Sequence, residues 1–328
     1  MVSEPSVLTL SEAEAEAIQS LAVRLARTSP LAPMQYVERA RDLGSADPAL
    51  DRLRSALHAE PHALRVRGLR AAAGPSTSTP TARASASDVL PIPAATLALV
   101  AGVVGLHRGF EREFEGQLLH SIAPIATNSD LQINSSSAVE LELHTEMAYA
   151  EHAPDYVLLL CVRKGIGSAA TLLVSLADVV ERLPDAVVDA LCEPRFMTSV
   201  DVVERGRPEP LAGPMPVLSR RADNLTARCD FAEIQATDDA SLAALAAMHR
   251  TARLVARPVT LDEGDLLVAD NRRALHGRVP FEARHDGSDR WLLRAYVWAD
   301  GGGVPQIVGS PVVPGNTFAS PVRPRPAG

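Results

Sequence analysis

Near the N-terminus, apolar residues recur at helical spacing. Ser11 and Glu14 form a capping box, and Ile18, Leu21, Ala22 and Leu25 follow on one face. Leu50, Leu53 and Leu57 predict a second helix over 48–59. Residues 71–87 (AAAGPSTSTPTARASAS) carry too few large apolar side chains to pack, so they read as a mobile surface loop of the kind that borders an active-site mouth. An apolar helix is expected over 93–106. The period then shortens. Segment 139–146 (VELELHTE) alternates strictly, 156–163 (YVLLLCVR) is a continuous buried run, and 169–174 (AATLLV) is short and β-branched. Ser175 and Asp178 open a helix, and 184–192 looks helical as well. Segment 239–255 is a helix with Leu242, Leu245 and Met248 facing inward. The segments RPVTL, GDLLVADN and RWLLRAYVW are the closing strands, and proline-rich 309–328 reads as an irregular tail.

Helices first, then many short strands with helical insertions, predict an α+β, mainly β protein whose barrel or sandwich core is buttressed by helices. The expected organisation is one domain over 1–308, with helices within 9–70 and the sheet core within 106–300. There is no internal repeat and no G-x-G-x-x-G or Walker loop, which argues against a dinucleotide- or nucleotide-binding fold. The net charge of −8 comes with no Lys/Arg run, which disfavours a nucleic-acid or anionic-membrane partner. An acidic N-terminus and the lack of a long apolar stretch predict a soluble, cytoplasmic protein. Cys161, Cys192 and Cys229 are widely spaced with no C-x-x-C pair. This argues against disulfides and a thiolate zinc site, and Cys161 reads as core packing.

Chemistry enters with His144-Thr145-Glu146. Residues two apart on a strand share a face, so an imidazole and a carboxylate converge on one point. A second histidine from a distant strand would complete a facial triad with open positions, the arrangement that suits Fe(II) for oxygen chemistry. Glu140 and Glu142 have the same parity, so a solvated acidic stripe is the competing reading. The second half of the pattern is DNRRALHGRVPFEARHDGSDRWLLRAYV. It sets His276 just past an apolar strand and Arg290 at the start of the next, so a metal ligand and a carboxylate-clamping cation can share one cavity.

Taken together, LELHTEMAYAEHAPDYVLLLCVR and the DNRRALHGR segment resemble the clavaminate synthase-like family of Fe(II)/2-oxoglutarate oxygenases, which includes hydroxylases of free amino acids. The resemblance covers roughly 106–298 and implies a double-stranded β-helix (jelly-roll) core. It assigns His144, Glu146 and His276 to iron, and Arg290 and Thr171 to 2-oxoglutarate. With O2 as the other co-substrate, the products are succinate, CO2 and a substrate oxidised at an unactivated C–H, Cβ or Cγ. Because the carboxylate ligand Glu146 is present, oxygen insertion or desaturation is favoured over halogenation. The resemblance also implies a small amino-acid-like substrate, held by Asn134, Ser136 or the neighbouring serines 135 and 137, and by Glu113 or Glu115. Asp230, in the segment Ala227-Arg228-Cys229-Asp230, would meet its distal polar group. The tract NSSS is equally readable as a plain turn. Arg228 stands where the arginine hydroxylases carry a second acid, which argues against a guanidinium and leaves an amide or an amine open. Two other readings stay open: a multifunctional oxygenase of clavaminate synthase type that cyclises or desaturates a secondary metabolite, and a non-catalytic jelly-roll binding protein.

Overall fold

The continuous apolar run becomes the strand Tyr156–Arg163 at the centre of a large sheet. The computed structural model describes residues 2–28, 31–59, 62–84, 86–166, 169–200, 210–221, 224–299, 304 and 309–314. Tyr156–Arg163 pairs antiparallel with Leu266–Asp270 on one side and Trp291–Trp298 on the other, and Leu160 is opposite both Leu266 and Leu293. Beyond Leu266–Asp270 lie Ala63–Arg67 and then Ser6–Thr9; beyond Trp291–Trp298 lie Leu106–Phe110 and Leu119–Ile122. A smaller sheet runs in the order Arg257–Val259, Thr171–Ser175, Ala274–Arg278, Leu141–His144, all antiparallel.

Alternation along the strands sorts the core into layers. Leu158, Leu160, Leu293, Ala295 and Val297 face the N-terminal helices. Those helices are Glu12–Ala26, Pro33–Ser45, Pro48–His58 and Pro91–Val104. The opposite parity of the same strands, Val157, Leu159, Leu292 and Tyr296, packs with Leu173, Ala274 and Val259 of the smaller sheet. The outer face of that sheet, through Leu143, Val174 and Leu275, packs on Leu245, Met248 and Ala252 of the helix Asp239–Val255. The protein is thus mixed α and β with a sheet-rich core. Strands buried on both faces read as unbroken apolar runs, as observed here.

Several expectations change. The strand expected over 139–146 is Leu141–His144 only: the Val139 carbonyl accepts from Arg278 instead, and Met147, with φ 52°, turns the chain just after Glu146. Pro33–Ser45, Ser6–Thr9 and Ala63–Arg67 were not expected; the two strands are short, Ser6–Thr9 forming the sheet edge and Ala63–Arg67 the strand next to it. Leu242 is 56% exposed rather than inward, because Leu245 and Met248 already fill the stripe that meets the smaller sheet. Segment 71–87, read as mobile, is pinned in its described residues. Ala71, Ala73 and Thr79 are buried, and the Arg163 guanidinium donates to Thr79 Oγ1 and to the carbonyls of Gly74 and Thr77. The tail is not irregular throughout: Val312–Val313 pairs in parallel with Leu106–Phe110, so the expected boundary at 308 falls just before a strand of the large sheet. Residues 315–328 lie outside the described residues.

Candidate metal centre and active-site cavity

The adjacent strands Leu141–His144 and Ala274–Arg278 place His144 directly opposite His276, with ring centroids 4.4 Å apart. Past His144 the backbone is held by tertiary hydrogen bonds. Thr145 N donates to the Cys229 carbonyl at 2.6 Å. Glu146 N donates to Asn271 Oδ1 at 2.8 Å, and Asn271 Nδ2 donates back to the Glu146 carbonyl at 3.1 Å. Glu146 Oε1 then lies 3.4 Å from His276 Nε2. One ligand atom from each of His144, Glu146 and His276 lies within 4.8 Å of the others, a cluster that could hold a metal ion. His144 Nδ1 sits 2.8 Å from the Glu142 carbonyl, which leaves Nε2 as the nitrogen free for the cluster. Two imidazoles and one carboxylate at the edge of an open cavity fit Fe(II) with free coordination positions, where structural zinc would take four protein ligands.

Both oxygens of Glu146 are held by the strand Trp291–Trp298. Arg294 Nη1 donates to Oε1 at 3.0 Å and the Tyr296 hydroxyl donates to Oε2 at 3.0 Å. Burial pushes the Glu146 pKa up, but Arg294 and His276 outweigh it, and the carboxyl is held well below the usual carboxylate range. Arg294 also donates to Glu113 Oε2 at 3.0 Å, and its Nε lies 3.2 Å from His120 Nδ1. Burial, reinforced by Arg294, pushes the His120 pKa well down, so this imidazole is a neutral acceptor. Arg294, Tyr296 and His120 were missed in the sequence. The available signal was parity, since Arg290, Leu292, Arg294 and Tyr296 alternate along one strand and therefore share a face.

Arg290 donates to Thr171 Oγ1 at 3.0 Å, and Thr171 is 3% exposed. Burial lowers the Arg290 pKa to about 10, which still leaves it charged at neutral pH. Among the described residues no carboxylate pairs with it, so a sequestered cation faces the cavity without a counter-ion.

The cavity encloses about 620 Å³, a size suited to small metabolites. The triad lines it together with Arg290, Thr171 and Arg294. Among the substrate candidates, Asn134, Ser135, Glu113 and Asp230 line it too. Ser136 does not: it is 1% exposed, its hydroxyl donates to the Ile133 carbonyl at 2.7 Å, and it accepts from Arg278 at 2.9 Å. Its hydroxyl ties the turn together, and of this tract Asn134 and Ser135 are the residues that reach the cavity. Glu115 is exposed and Ser137 is buried, and neither lines the cavity. Burial raises the Glu113 pKa, with Arg294 opposing. Glu140 and Glu142, the feared acidic stripe, bind Arg253, and Glu142 also lies 3.1 Å from His249 Nε2.

A sheet-rich core that brings two histidines and a glutamate to a cavity holding an unpaired arginine defines an iron(II)- and 2-oxoglutarate-using oxygenase. Residues 27–296 match the family "Taurine catabolism dioxygenase TauD, TfdA", and the chain belongs to it, within its clavaminate synthase-like branch. It is 31% identical over 301 residues to the L-asparagine oxygenase of Streptomyces coelicolor, covering 89% of this chain and 90% of that one. Clavaminate synthase 2 of Streptomyces clavuligerus is 31% identical over 278 residues, covering 82% and 85%. The solved structure of an asparagine oxygenase with Fe(II), 2S,3S-3-hydroxyasparagine and succinate superposes with a TM-score of 0.87 at 29% identity, covering 94% of this chain and 99% of that chain. No helix among the described residues is long and apolar enough to cross a membrane.

Proposed function

We propose that this enzyme hydroxylates an unactivated C–H, at Cβ or Cγ, of a free L-amino acid or an amino-acid-derived biosynthetic intermediate, with 2-oxoglutarate as co-substrate. The carrying observation is the division of charge in the cavity. Arg290, buried and without a carboxylate partner, holds Thr171; Arg294 holds Glu113; and both pairs line the cavity of the triad. The first is suited to the distal carboxylate of 2-oxoglutarate, with the guanidinium fork and the Thr171 hydroxyl donating to its oxygens. The second offers a cation and an anion side by side, matching an α-carboxylate and an α-ammonium. Asn134 and Ser135 would close over that end.

On this reading His144, Glu146 and His276 hold iron(II), which supplies the power to activate O2 for C–H cleavage when bound. The chain's own residues orient and exclude. Arg294 and Tyr296 fix the Glu146 carboxylate, and Asn271 fixes its backbone, so one face of the site stays open toward the substrate. The two sheets are read as the facing halves of a double-stranded β-helix, and the described residues as one catalytic unit working as a soluble, cytoplasmic enzyme. Similarity to clavaminate synthase 2 favours a second reading, desaturation or cyclisation of one intermediate.

The test is succinate formation by iron-loaded protein with 2-oxoglutarate and O2 against a panel of free L-amino acids, with product masses read in parallel. Succinate that rises with one amino acid, together with one added oxygen, is the expected result. Loss of two hydrogens would select the second reading. No succinate from any mixture would return the protein to the binding-protein class.

A further inference from the structure

Beside His144 the cavity is lined by two acids, Asp230 and Glu233. Asp230 forms an isolated antiparallel bridge with His144, and the chain turns there: the N–H groups of Glu233 and Ile234 both donate to the Asp230 carbonyl, at 3.1 and 2.8 Å. The strand Phe196–Ser199 is fastened to this turn. Thr198 pairs with Ile234, and Ser199 N donates to the Glu233 carbonyl at 3.4 Å. Asp230, Glu233 and Ser199 therefore reach the cavity from one continuous patch, and all three line it.

Their polar groups are underused. Asp230 Oδ1 accepts from Ala232 N at 2.9 Å and feels the neighbouring His144, and neither Asp230 nor Glu233 forms an ion pair with a Lys or Arg among the described residues. Ser199 is 2% exposed, and its hydroxyl has no hydrogen-bond partner among the described residues. A buried hydroxyl without a partner is uncommon in a native fold and marks a place that something else completes. Arg228, the nearest basic residue in the sequence, does not line the cavity; its Nη2 donates to the Glu151 carbonyl at 3.2 Å.

We propose that Glu233 and Ser199 join Asp230, which the family resemblance already places at the substrate's distal polar group, in a specificity site for a cationic side chain, so that the substrate is a basic amino acid. The inference rests on the amino-acid hydroxylase reading and narrows its substrate. Two carboxylates on one wall repel each other unless a cation lies between them. A side-chain ammonium brings three N–H donors and can meet both carboxylates and the Ser199 oxygen. A carboxamide would satisfy Asp230 but leave Glu233 without a counter-charge, and a neutral aliphatic chain would leave all three groups unpaired. Ammonium and guanidinium share the chemistry that the site requires, and the substrate panel separates them.

The experiment measures calorimetric binding and amino-acid-stimulated succinate formation for L-lysine, L-ornithine, L-arginine, L-asparagine and L-norleucine, which has lysine's chain without its charge. At least one basic amino acid is expected to bind at least tenfold tighter than asparagine and norleucine. Glu233→Gln and Ser199→Ala should weaken that binding by about tenfold and about threefold, with KM for 2-oxoglutarate unchanged. Preference for asparagine, or a basic substrate whose KM ignores Glu233→Gln, would overturn the inference while leaving the hydroxylase reading in place. Succinate formation that no amino acid stimulates would overturn both.

Discussion

Arg294 and Glu146 form a charge-assisted hydrogen bond of 3.0 Å in the interior, joining the strand Trp291–Trp298 to the carboxylate of the proposed metal site. Burial pulls the Arg294 pKa down, yet Glu146, with Tyr296 and Glu113, more than reverses this and raises it above the ordinary arginine value. The pair is thus charged on both sides, and the carboxylate that would bind metal is held ionised before any metal arrives. Tyr296 occupies the other oxygen. Two neighbours on one strand therefore fix one carboxylate, so its angle toward the cavity follows from the sheet rather than from a loop.

Tyr296→Phe removes one of those two holds and little volume. Outer-shell partners of metal ligands contribute roughly 10–100-fold in affinity. The expected outcome is about a tenfold weaker Fe(II) or Mn(II) affinity by titration, with the fold retained. His144→Ala removes a ligand outright and should abolish coupled turnover. An H144A protein that still forms succinate would show that the ligand assignment is wrong.

The Arg290–Thr171 contact predicts a graded series in 2-oxoglutarate kinetics. Thr171→Val keeps the shape and loses one hydroxyl, a loss of about 1 kcal/mol or roughly fivefold in KM for 2-oxoglutarate. Arg290→Met loses the charge and the fork, with hydrogen bonds to charged groups contributing about 1.5–3 kcal/mol each, so kcat/KM should fall by about a hundredfold or more. The KM for the amino acid should move little in T171V. Equal changes in both KM values would mean that Thr171 serves the cavity as a whole.

The residues of the triad were legible because two short motifs carry them, and the strand register then makes His144 and His276 neighbours. Arg290 was legible for the same reason. Arg294 was not, although it alternates with Arg290, because an arginine in an apolar strand announces neither a partner nor a face until its partners are known. The partners Glu113 and His120 come from the segment that follows the Leu106–Phe110 strand, far away in the chain. Segment 71–87 was misread for a similar reason. Its composition carries no core signal; what pins it is the Arg163 guanidinium, which reads in sequence as the end of a strand, together with hydrogen bonds from Thr79 to the Gly287 and Asp289 carbonyls and from Ala73 N to the Val162 carbonyl. Loop anchors of this kind are tertiary and leave no periodic trace.

His107 provides a stability test away from the site. It is 3% exposed, and burial, partly offset by the Leu118 carbonyl 3.0 Å from Nε2, lowers its pKa to about 4. The unfolded chain, with a value near 6.5, therefore takes up the proton first as pH falls. The contribution of neutral His107 is complete above about pH 6.5, is lost progressively toward about pH 4, and is flat below that. The change is up to about 3 kcal/mol. Urea midpoints between pH 7.5 and 5 should fall for the wild type, and the fall should be smaller in His107→Gln. Parallel curves for the two proteins would rule out this assignment.

Gly277 lies between His276 and Arg278, where the register of the two ligand-bearing strands shifts. A Cβ added there would sit 2.5 Å from the Leu141 carbonyl oxygen and 3.3 Å from the Glu142 carbonyl carbon, so the backbones themselves must part. Gly277→Ala should then act in two ways at once. Overpacking between fixed strands destabilises by about 1–3 kcal/mol, readable as a lower urea midpoint. The same displacement separates His144 from His276, so metal affinity should fall by more than the stability loss alone would cause. Leu275→Val, in the same strand but facing the outer helix layer, is the control: a comparable loss of stability is expected there with metal affinity unchanged. If the two variants lose metal affinity equally for equal destabilisation, the close approach at Gly277 does not set the ligand spacing. If only G277A loses it, the glycine holds the two histidines at their working separation.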